Sequence, residues 1–191
     1  MYQYDVFISY ERRYESVARW VRNHFHPVLR SLLDGNLDRE AGLFYDESVQ
    51  FGGKWPEELR YALKHTRILI PVCSPKYFVN EWCRAEWASM ARRETLVGGE
   101  RPATLIYPVI YCDSRNFPDY ALERRMHNLT EFNHPYEHFE DSPKYIQFHD
   151  KMNLIAEEVE ALLSTVPEWQ PGWPAFTPEP EPPRSARLPR L

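Results

Sequence analysis

The sequence predicts an α/β fold of the flavodoxin-like type, in which about five parallel strands form a doubly wound sheet with helices on both faces. Three observations lead to this prediction. Apolar runs over residues 67–73 and 104–111 are continuous rather than alternating, which is typical of parallel strands buried on both faces. Segments with a helical spacing of apolar residues separate the strand-like segments. Short right-handed connections between them favour the strand order 2-1-3-4-5.

The first half of the chain is predicted to alternate twice between strand and helix. The run YDVFISY over residues 4–10 predicts the first strand. Apolar residues at steps of three and four over 17–32 predict a helix that Pro27 should kink or split. Residues 42–46 predict the second strand, and a helix follows from Pro56, because proline fits the first turn of a helix.

The second half of the chain contains the two continuous apolar strands, over 67–73 and 104–111, with a helix over 80–94 between them. Pro71 and Pro108 should produce a bulge or a strand end, because proline donates no hydrogen bond to a neighbouring strand. A fifth strand is expected within residues 128–132, where the pattern is short. Ser142 is expected to cap the last helix, whose apolar residues keep helical register.

The end of the chain differs in composition from the rest. Eight of the seventeen prolines fall within the last 25 residues, in a stretch with few aliphatic side chains. We therefore expect a domain over 1–166 and a proline-rich, mostly extended or disordered tail over 167–191. Three aromatic residues are candidates for holding the first part of this tail against the domain: Trp169, Trp173 and Phe176.

The composition excludes several classes of protein. A hydrophobic content of 43% is enough to build a core, and a net charge of −5 provides no basic surface for nucleic acid or anionic lipid. No apolar window approaches the ~18 residues of a membrane span, and the N-terminus lacks the pattern of a signal peptide. Three cysteines without CxxC spacing indicate reduced, mostly buried thiols. We expect a cytoplasmic domain that binds neither nucleic acid nor membrane.

A ligand-binding crevice is predicted where the strand order reverses, beyond the carboxyl ends of the first and third strands. Residues 10–13, the loop over 48–54 and the segment from Ser74 onwards should line it. They supply cations, backbone amides, aromatic rings and the pair Trp82 and Glu86, four residues apart on one helix face. These groups suit a phosphorylated ligand that contains rings. The same spacing also fits a helix that packs through its other apolar residues and leaves Glu86 in solvent.

Other chemistries have no support in the sequence. None of the seven histidines falls in an HExxH or Cys/His finger spacing, so no metal site is predicted. The chain contains no GxSxG or P-loop sequence. A phosphoacceptor receiver domain shares the predicted topology but needs an aspartate at the end of the third strand, where this chain has VCS at 72–74.

The residues along the predicted crevice resemble the motifs of Toll/interleukin-1 receptor (TIR) domains. Residues 4–10 resemble the first strand of that family, and residues 44–46 with the glycine-containing loop after them resemble the second strand and its loop. The most specific match is CSPKYFVNEWCRAEW over 73–87, with the pattern Ser-Pro-x-Tyr followed by Trp-Cys-x-x-Glu. The resemblance covers residues 4 to 165 and implies the same fold as the strand pattern.

The resemblance implies one of two functions. Some TIR domains are non-catalytic scaffolds that bind other TIR domains, whereas others cleave NAD⁺ to nicotinamide and ADP-ribose or a cyclic form. Catalytic members carry a glutamate that corresponds to Glu86, and scaffold members often lack it and have a proline in the loop after the second strand. This chain has Glu86 and no proline in that loop before Pro56. The resemblance therefore favours a NAD⁺ glycohydrolase of the bacterial effector type, with the scaffold as the alternative.

The resemblance also implies roles for individual residues. Glu86 is expected to be catalytic, with NAD⁺ as substrate and no resident cofactor. Arg12 is expected to meet the pyrophosphate, since Glu11 stands where many catalytic members have arginine. The full set expected to bind the substrate is Tyr10, Arg12, Phe51, Lys54, Trp55 and Trp82. The site of such enzymes is commonly completed by a neighbouring copy, which implies activation by self-association, by a partner or by a small signal, in a defence or signalling role.

Overall fold

A computed structural model describes residues 1–46, 55–98 and 103–178 of the chain. Within these residues, five strands form one sheet in the order β2-β1-β3-β4-β5, and all neighbouring strands are parallel. This confirms the predicted flavodoxin-like topology. The strands are β1 (Tyr4–Ser9), β2 (Leu43–Tyr45), β3 (Thr66–Cys73), β4 (Val109–Ile110) and β5 (His127–Asn128).

The helices lie between the strands in chain order. The described α-helices are α1 (Glu15–Trp20), α2 (His26–Asn36), α3 (Trp55–Lys64), α4 (Pro75–Val79), α5 (Glu81–Val97), α6 (Asp119–Leu122) and α7 (Pro143–Leu163), with 3₁₀ turns at Thr130–Phe132 and Glu137–Asp141. A π-helical segment, Val21–Phe25, joins α1 to α2 just before Pro27. The predicted break at Pro27 is thus a local change of helical type, which accommodates a residue without a backbone N–H.

The core is divided between the two faces of the sheet. Successive side chains of a strand point to opposite faces, so Val6 and Ile8 of β1 pack in one apolar cluster and Phe7 packs in the other. The first cluster contains residues of α1, α2 and α7, and the second contains residues of α3 and α5. Burial on both faces explains why the central strands are continuously apolar.

Two predicted elements are shorter in the structure than the sequence indicated. The strand expected over 104–111 consists of β4 alone, with an isolated bridge between Leu69 and Ile106 before it. Pro108 interrupts the pairing because it donates no hydrogen bond, although its carbonyl accepts one from the His127 N–H at 3.1 Å. The fifth strand begins one residue earlier than expected and ends at Asn128, where a 3₁₀ turn follows.

The cap predicted for the last helix is wrong in detail. Helix α7 follows Ser142 as expected, but the Ser142 hydroxyl makes no capping bond to the helix. It donates instead to the backbone carbonyl of Phe139 at 2.8 Å, because the preceding 3₁₀ turn brings that carbonyl within reach.

The segment after α7 returns to the domain over residues 167–178, which we call the C-terminal strap. Trp173 of the strap is buried, and Trp169 stacks on the ring of His65. The ring of Phe176, in contrast, is about half exposed. Two of the three aromatic residues therefore attach the strap as expected. The domain boundary after residue 166 stays a prediction, and residues 179–191 lie outside the described part of the chain.

Arg93 of α5 fastens the strap to the domain. Its side chain is buried, and its guanidinium donates hydrogen bonds to the backbone carbonyls of Leu63, Thr66 and Pro174, the last of which belongs to the strap. Burial lowers the pKa of Arg93 to about 10. Since a buried cation without partners is strongly destabilising, the strap carbonyl contributes to the stability of the domain.

Removing the strap should destabilise the fold. We expect the free energy of unfolding to be about 3 kcal/mol lower for a chain that ends at residue 166 than for one that ends at residue 178. The shorter chain loses the buried Trp173 ring and one hydrogen-bond acceptor of Arg93. Urea unfolding of the two chains measures the difference. Both chains lack residues 179–191, so the comparison isolates the strap, and equal stabilities would contradict its structural role.

Candidate functional site

The predicted crevice lies at the carboxyl ends of β1 and β3, the two strands between which the order reverses. Two polar residues, Ser74 and Asn80, cap the helices that begin at this edge of the sheet. Ser74 caps α4 by accepting a hydrogen bond from the Tyr77 N–H at 3.3 Å. Asn80 caps α5 by accepting one from the Cys83 N–H at 3.0 Å. These caps fix the start of α5, the helix that carries the Glu86 side chain.

The Glu86 carboxyl is inside the protein. The residue is only 6% exposed, so the alternative in which this side chain points into solvent is wrong. The Ser9 hydroxyl, at the end of β1, donates a hydrogen bond to Glu86 Oε2 at 2.5 Å. Among the described residues no hydrogen bond is made by the other carboxyl oxygen, Oε1. The protein thus holds the carboxyl group through one of its two oxygens.

The surroundings of Glu86 make its carboxyl hard to ionise. Burial raises the pKa of Glu86 to about 7, and the negative charges of Asp46 and Glu11 act in the same direction. The hydrogen bond from Ser9 and the positive charge of Arg12 lower the pKa and offset part of this effect. At neutral pH both protonation states of Glu86 are therefore populated, which is typical of groups at functional sites.

Tyr10 and Arg12 follow β1, and both contact Asp46, the residue after β2. Arg12 forms an ion pair with the Asp46 carboxylate. The Tyr10 hydroxyl donates to the backbone carbonyl of the same Asp46 at 2.5 Å. Neither residue is among the described lining of the cleft next to this region. Their roles toward a substrate stay predictions.

The structural role of Glu11 was not predicted from the sequence. It is buried, and its carboxylate accepts hydrogen bonds from the Asn80 side-chain amide and from the Arg13 backbone N–H, the latter at 2.8 Å. Because Asn80 also caps α5, Glu11 connects the end of β1 to the start of that helix. The position of Glu11 directly after the strand was the only available indication that it could do so.

A cleft of about 930 Å³ opens beside these residues. Its described lining includes Glu11, Asn80 and Trp82, and the strap contributes Thr177 and Pro178 at one side. The cleft is large enough for a small-molecule ligand. Glu86 does not belong to this lining, since its carboxyl contacts the end of β1 instead. The strap residues were not predicted at the crevice, because nothing local in the sequence places them there.

Three of the predicted substrate-binding residues lie beyond what the structure describes. Phe51 and Lys54 fall in the segment 47–54, outside the described residues, and for Trp55 only the backbone, as the first residue of α3, is described. Their roles stay predictions. Among the described residues, no three His, Cys, Asp or Glu side chains are arranged to hold a metal ion. No helix in the same ranges is long and apolar enough to cross a membrane.

The buried Glu86 carboxyl should make the stability of the domain depend on pH. Between the ordinary pKa of 4.5 and the raised pKa of about 7, the folded protein retains a proton that the unfolded chain has released. The unfolding free energy should therefore fall by about 3 kcal/mol as the pH rises through this window. Glu86→Gln should remove this loss and be more stable than the wild type at pH 8.

Urea unfolding at several pH values from 4 to 8 measures this effect as the difference between wild type and Glu86→Gln. Glu81→Gln is the matched control, because Glu81 lies on the same helix but is exposed. If the free energies of unfolding of the wild type and of Glu86→Gln changed in parallel with pH, the raised pKa of Glu86 would be contradicted.

Comparisons with known proteins identify the fold family. Residues 6–144 match the family model of the TIR domain. A search of curated proteins found no match. Among solved structures, the chain is similar to the TIR domain of the Toll-related receptor TRR-2 from Hydra magnipapillata, with 17% identity, a TM-score of 0.53 and coverage of 83% of this chain and 99% of that one. At this identity the likeness is one of fold alone.

A second solved structure is similar at a lower level. It contains the TIR domains of the activated Roq1 resistosome, which directly recognises the pathogen effector XopQ. The identity is 20%, the TM-score is 0.40, and the match covers 81% of this chain and 84% of that one. This similarity is too low to carry an argument. The family match spans well over half of the chain and agrees with the strand order, so the protein belongs to the TIR domain family.

Proposed function

We propose that this TIR domain is a NAD⁺ glycohydrolase that releases nicotinamide and leaves ADP-ribose or a cyclic form of it, with Glu86 as the catalytic residue. The observation that supports this best is the buried Glu86 carboxyl at the reversal of strand order, with one oxygen bound to Ser9 and the other without a hydrogen bond in the described residues. Burying such a group destabilises the fold. Proteins keep destabilising buried ionisable groups mainly at functional sites.

The proposed reaction needs one carboxylate and no general acid. Nicotinamide leaves NAD⁺ as a neutral ring, so the bond to the ribose breaks without protonation of the leaving group. Positive charge then develops on the ribose, and a carboxylate next to it stabilises this charge, as in glycosidases. The ionised form of Glu86 is therefore the active one, and the positive charge of the bound nicotinamide ring favours that form.

Arg12 can bind the pyrophosphate only if it shares its guanidinium between two anions. It already pairs with Asp46. A guanidinium has five N–H donors in a planar arrangement, so it can keep one carboxylate and bind a phosphate oxygen as well. We propose that Arg12 does so, while the Trp82 ring, which lines the cleft, packs against the ribose or a base. Phe51, Lys54 and Trp55 complete the proposed set of substrate-binding residues.

We propose in addition that the enzyme acts after self-association, under the control of a partner or a small signal, as a defence or signalling effector that depletes NAD⁺. The family to which the chain belongs supports this part of the proposal. The second candidate, a scaffold that binds other TIR domains without catalysis, does not require the buried carboxyl. The two candidates differ in whether nicotinamide appears and whether its release depends on Glu86.

Replacing Glu86 should abolish most of the activity. We expect Glu86→Gln and Glu86→Ala to release nicotinamide at least 10²-fold more slowly than the wild type, because the charge on the ribose loses its carboxylate, an effect of roughly 3 kcal/mol on the barrier. The purified protein is incubated with NAD⁺, alone and with a crowding agent that promotes assembly, and nicotinamide is quantified. Circular dichroism confirms that the variants are folded.

Glu157→Gln is the activity control, since Glu157 is an exposed carboxylate on α7, outside the described cleft lining, and should keep the wild-type rate within about twofold. Wild-type turnover in Glu86→Gln would disprove the assignment of the catalytic residue. Assemblies seen by light scattering without any nicotinamide release by the wild type would favour the scaffold.

A further inference from the structure

We infer that Ser9 and Tyr77 are positioning residues for Glu86, and that they form a hydrogen-bonded chain whose direction reverses when the Glu86 carboxyl gains or loses its proton. This inference rests on the proposed function, because it assigns the two hydroxyl groups to the same reaction. Both residues fall within segments that resemble TIR motifs, residues 4–10 and 73–87, but the resemblance implied no role for either hydroxyl.

The chain consists of four groups in a row. The Ser9 hydroxyl lies 2.5 Å from Glu86 Oε2 and 2.8 Å from the Tyr77 hydroxyl. The Tyr77 hydroxyl in turn lies 3.3 Å from the backbone carbonyl of Cys83. All four residues are buried, and they come from β1, α4 and α5, so three elements of the fold meet at this chain.

The direction of these hydrogen bonds follows from the number of protons. Each hydroxyl has one proton to donate. When Glu86 is ionised it can only accept, so Ser9 donates to the carboxylate and Tyr77 donates to Ser9. When Glu86 is protonated, its O–H donates to Ser9, Ser9 donates to Tyr77, and Tyr77 donates to the Cys83 carbonyl. Both hydroxyls rotate, and no proton leaves either of them.

This arrangement keeps the buried carboxyl hydrogen-bonded in both protonation states. In the ionised state, a donor that itself receives a hydrogen bond is strengthened, which favours the charged carboxylate. The chain also holds Oε2 at the end of β1 and so orients Oε1, the oxygen without a hydrogen bond in the described residues. Ser9 and Tyr77 thus act on the substrate through Glu86 and not by direct contact.

The test titrates the Glu86 carboxyl by carbon NMR, assigned by comparison with Glu86→Gln, in the wild type, Ser9→Ala and Tyr77→Phe. We expect the midpoint to rise by about one pH unit in Ser9→Ala, because the ionised form loses its donor. Tyr77→Phe should raise the midpoint by a smaller amount, because Ser9 still donates. A midpoint that stays in place in both variants would overturn the inference.

Two matched variants remove buried hydroxyls elsewhere. Thr66→Val deletes a hydroxyl that donates to the Ala62 carbonyl at the start of β3, and Tyr107→Phe deletes one that donates to the Glu158 carboxylate at 2.8 Å. Neither should move the Glu86 midpoint. If Ser9→Ala does not fold, Tyr77→Phe decides the inference alone, since it leaves β1 unchanged.

The rate of nicotinamide release then separates this inference from the proposed function. In an active protein, the acidic limb of the pH–rate profile should move with the NMR midpoint in Ser9→Ala and Tyr77→Phe, and stay in place in both controls. A protein without activity would contradict the proposed function, while the NMR titration would still decide the roles of Ser9 and Tyr77. Shifted midpoints with an unshifted acidic limb would overturn the positioning role.

Discussion

The contact between the Ser9 hydroxyl and the Glu86 carboxyl is the interaction on which the functional account depends. A carboxyl group inside a protein must be either neutral or well hydrogen-bonded, because an isolated buried charge is strongly destabilising. Here a strand end supplies the hydrogen bond, at the edge where parallel strands β1 and β3 present their carboxyl ends together. The doubly wound topology thus brings the end of β1 close enough to α5 to hydrogen-bond a buried acidic side chain.

Helix α5 is held at both of its ends, and this keeps Glu86 in place. At its start, Asn80 caps the helix and binds Glu11, the second residue after β1. Near its end, Arg93 binds backbone carbonyls of the domain and of the strap. The carboxylate of Glu94 adds a third attachment, since it pairs with Arg124 at 2.5 Å. Rigid support of this kind is what the proposed catalytic role of Glu86 requires.

The sequence was sufficient to predict features that arise from local patterns. Continuous apolar runs predicted β3 and the parallel sheet, and the spacing of Trp82 and Glu86 placed both on one helix face. The contacts of Glu86 could not be predicted in this way, because Ser9 is 77 residues away along the chain and becomes its neighbour only in the folded sheet.

Two further features, the length of β4 and the docking of the strap, could not be predicted from local sequence for the same reason. The rule that proline interrupts a strand flagged Pro108, but the rule does not give the number of paired residues that remain. The proline-rich composition after residue 166 indicated an extended tail, and extended backbone is compatible with docking as well as with disorder. The Arg93 contact that fastens the strap depends on carbonyls from two segments that are far apart in the chain, which no local pattern reveals.

The pH dependence of NAD⁺ cleavage by the wild-type protein tests the central claim most directly. If the ionised Glu86 carboxylate stabilises the developing charge on the ribose, kcat/KM should rise about tenfold per pH unit below a pKa of about 7 and level off above it. A rate that does not change between pH 5 and 9, or one that falls as Glu86 ionises, would contradict the account.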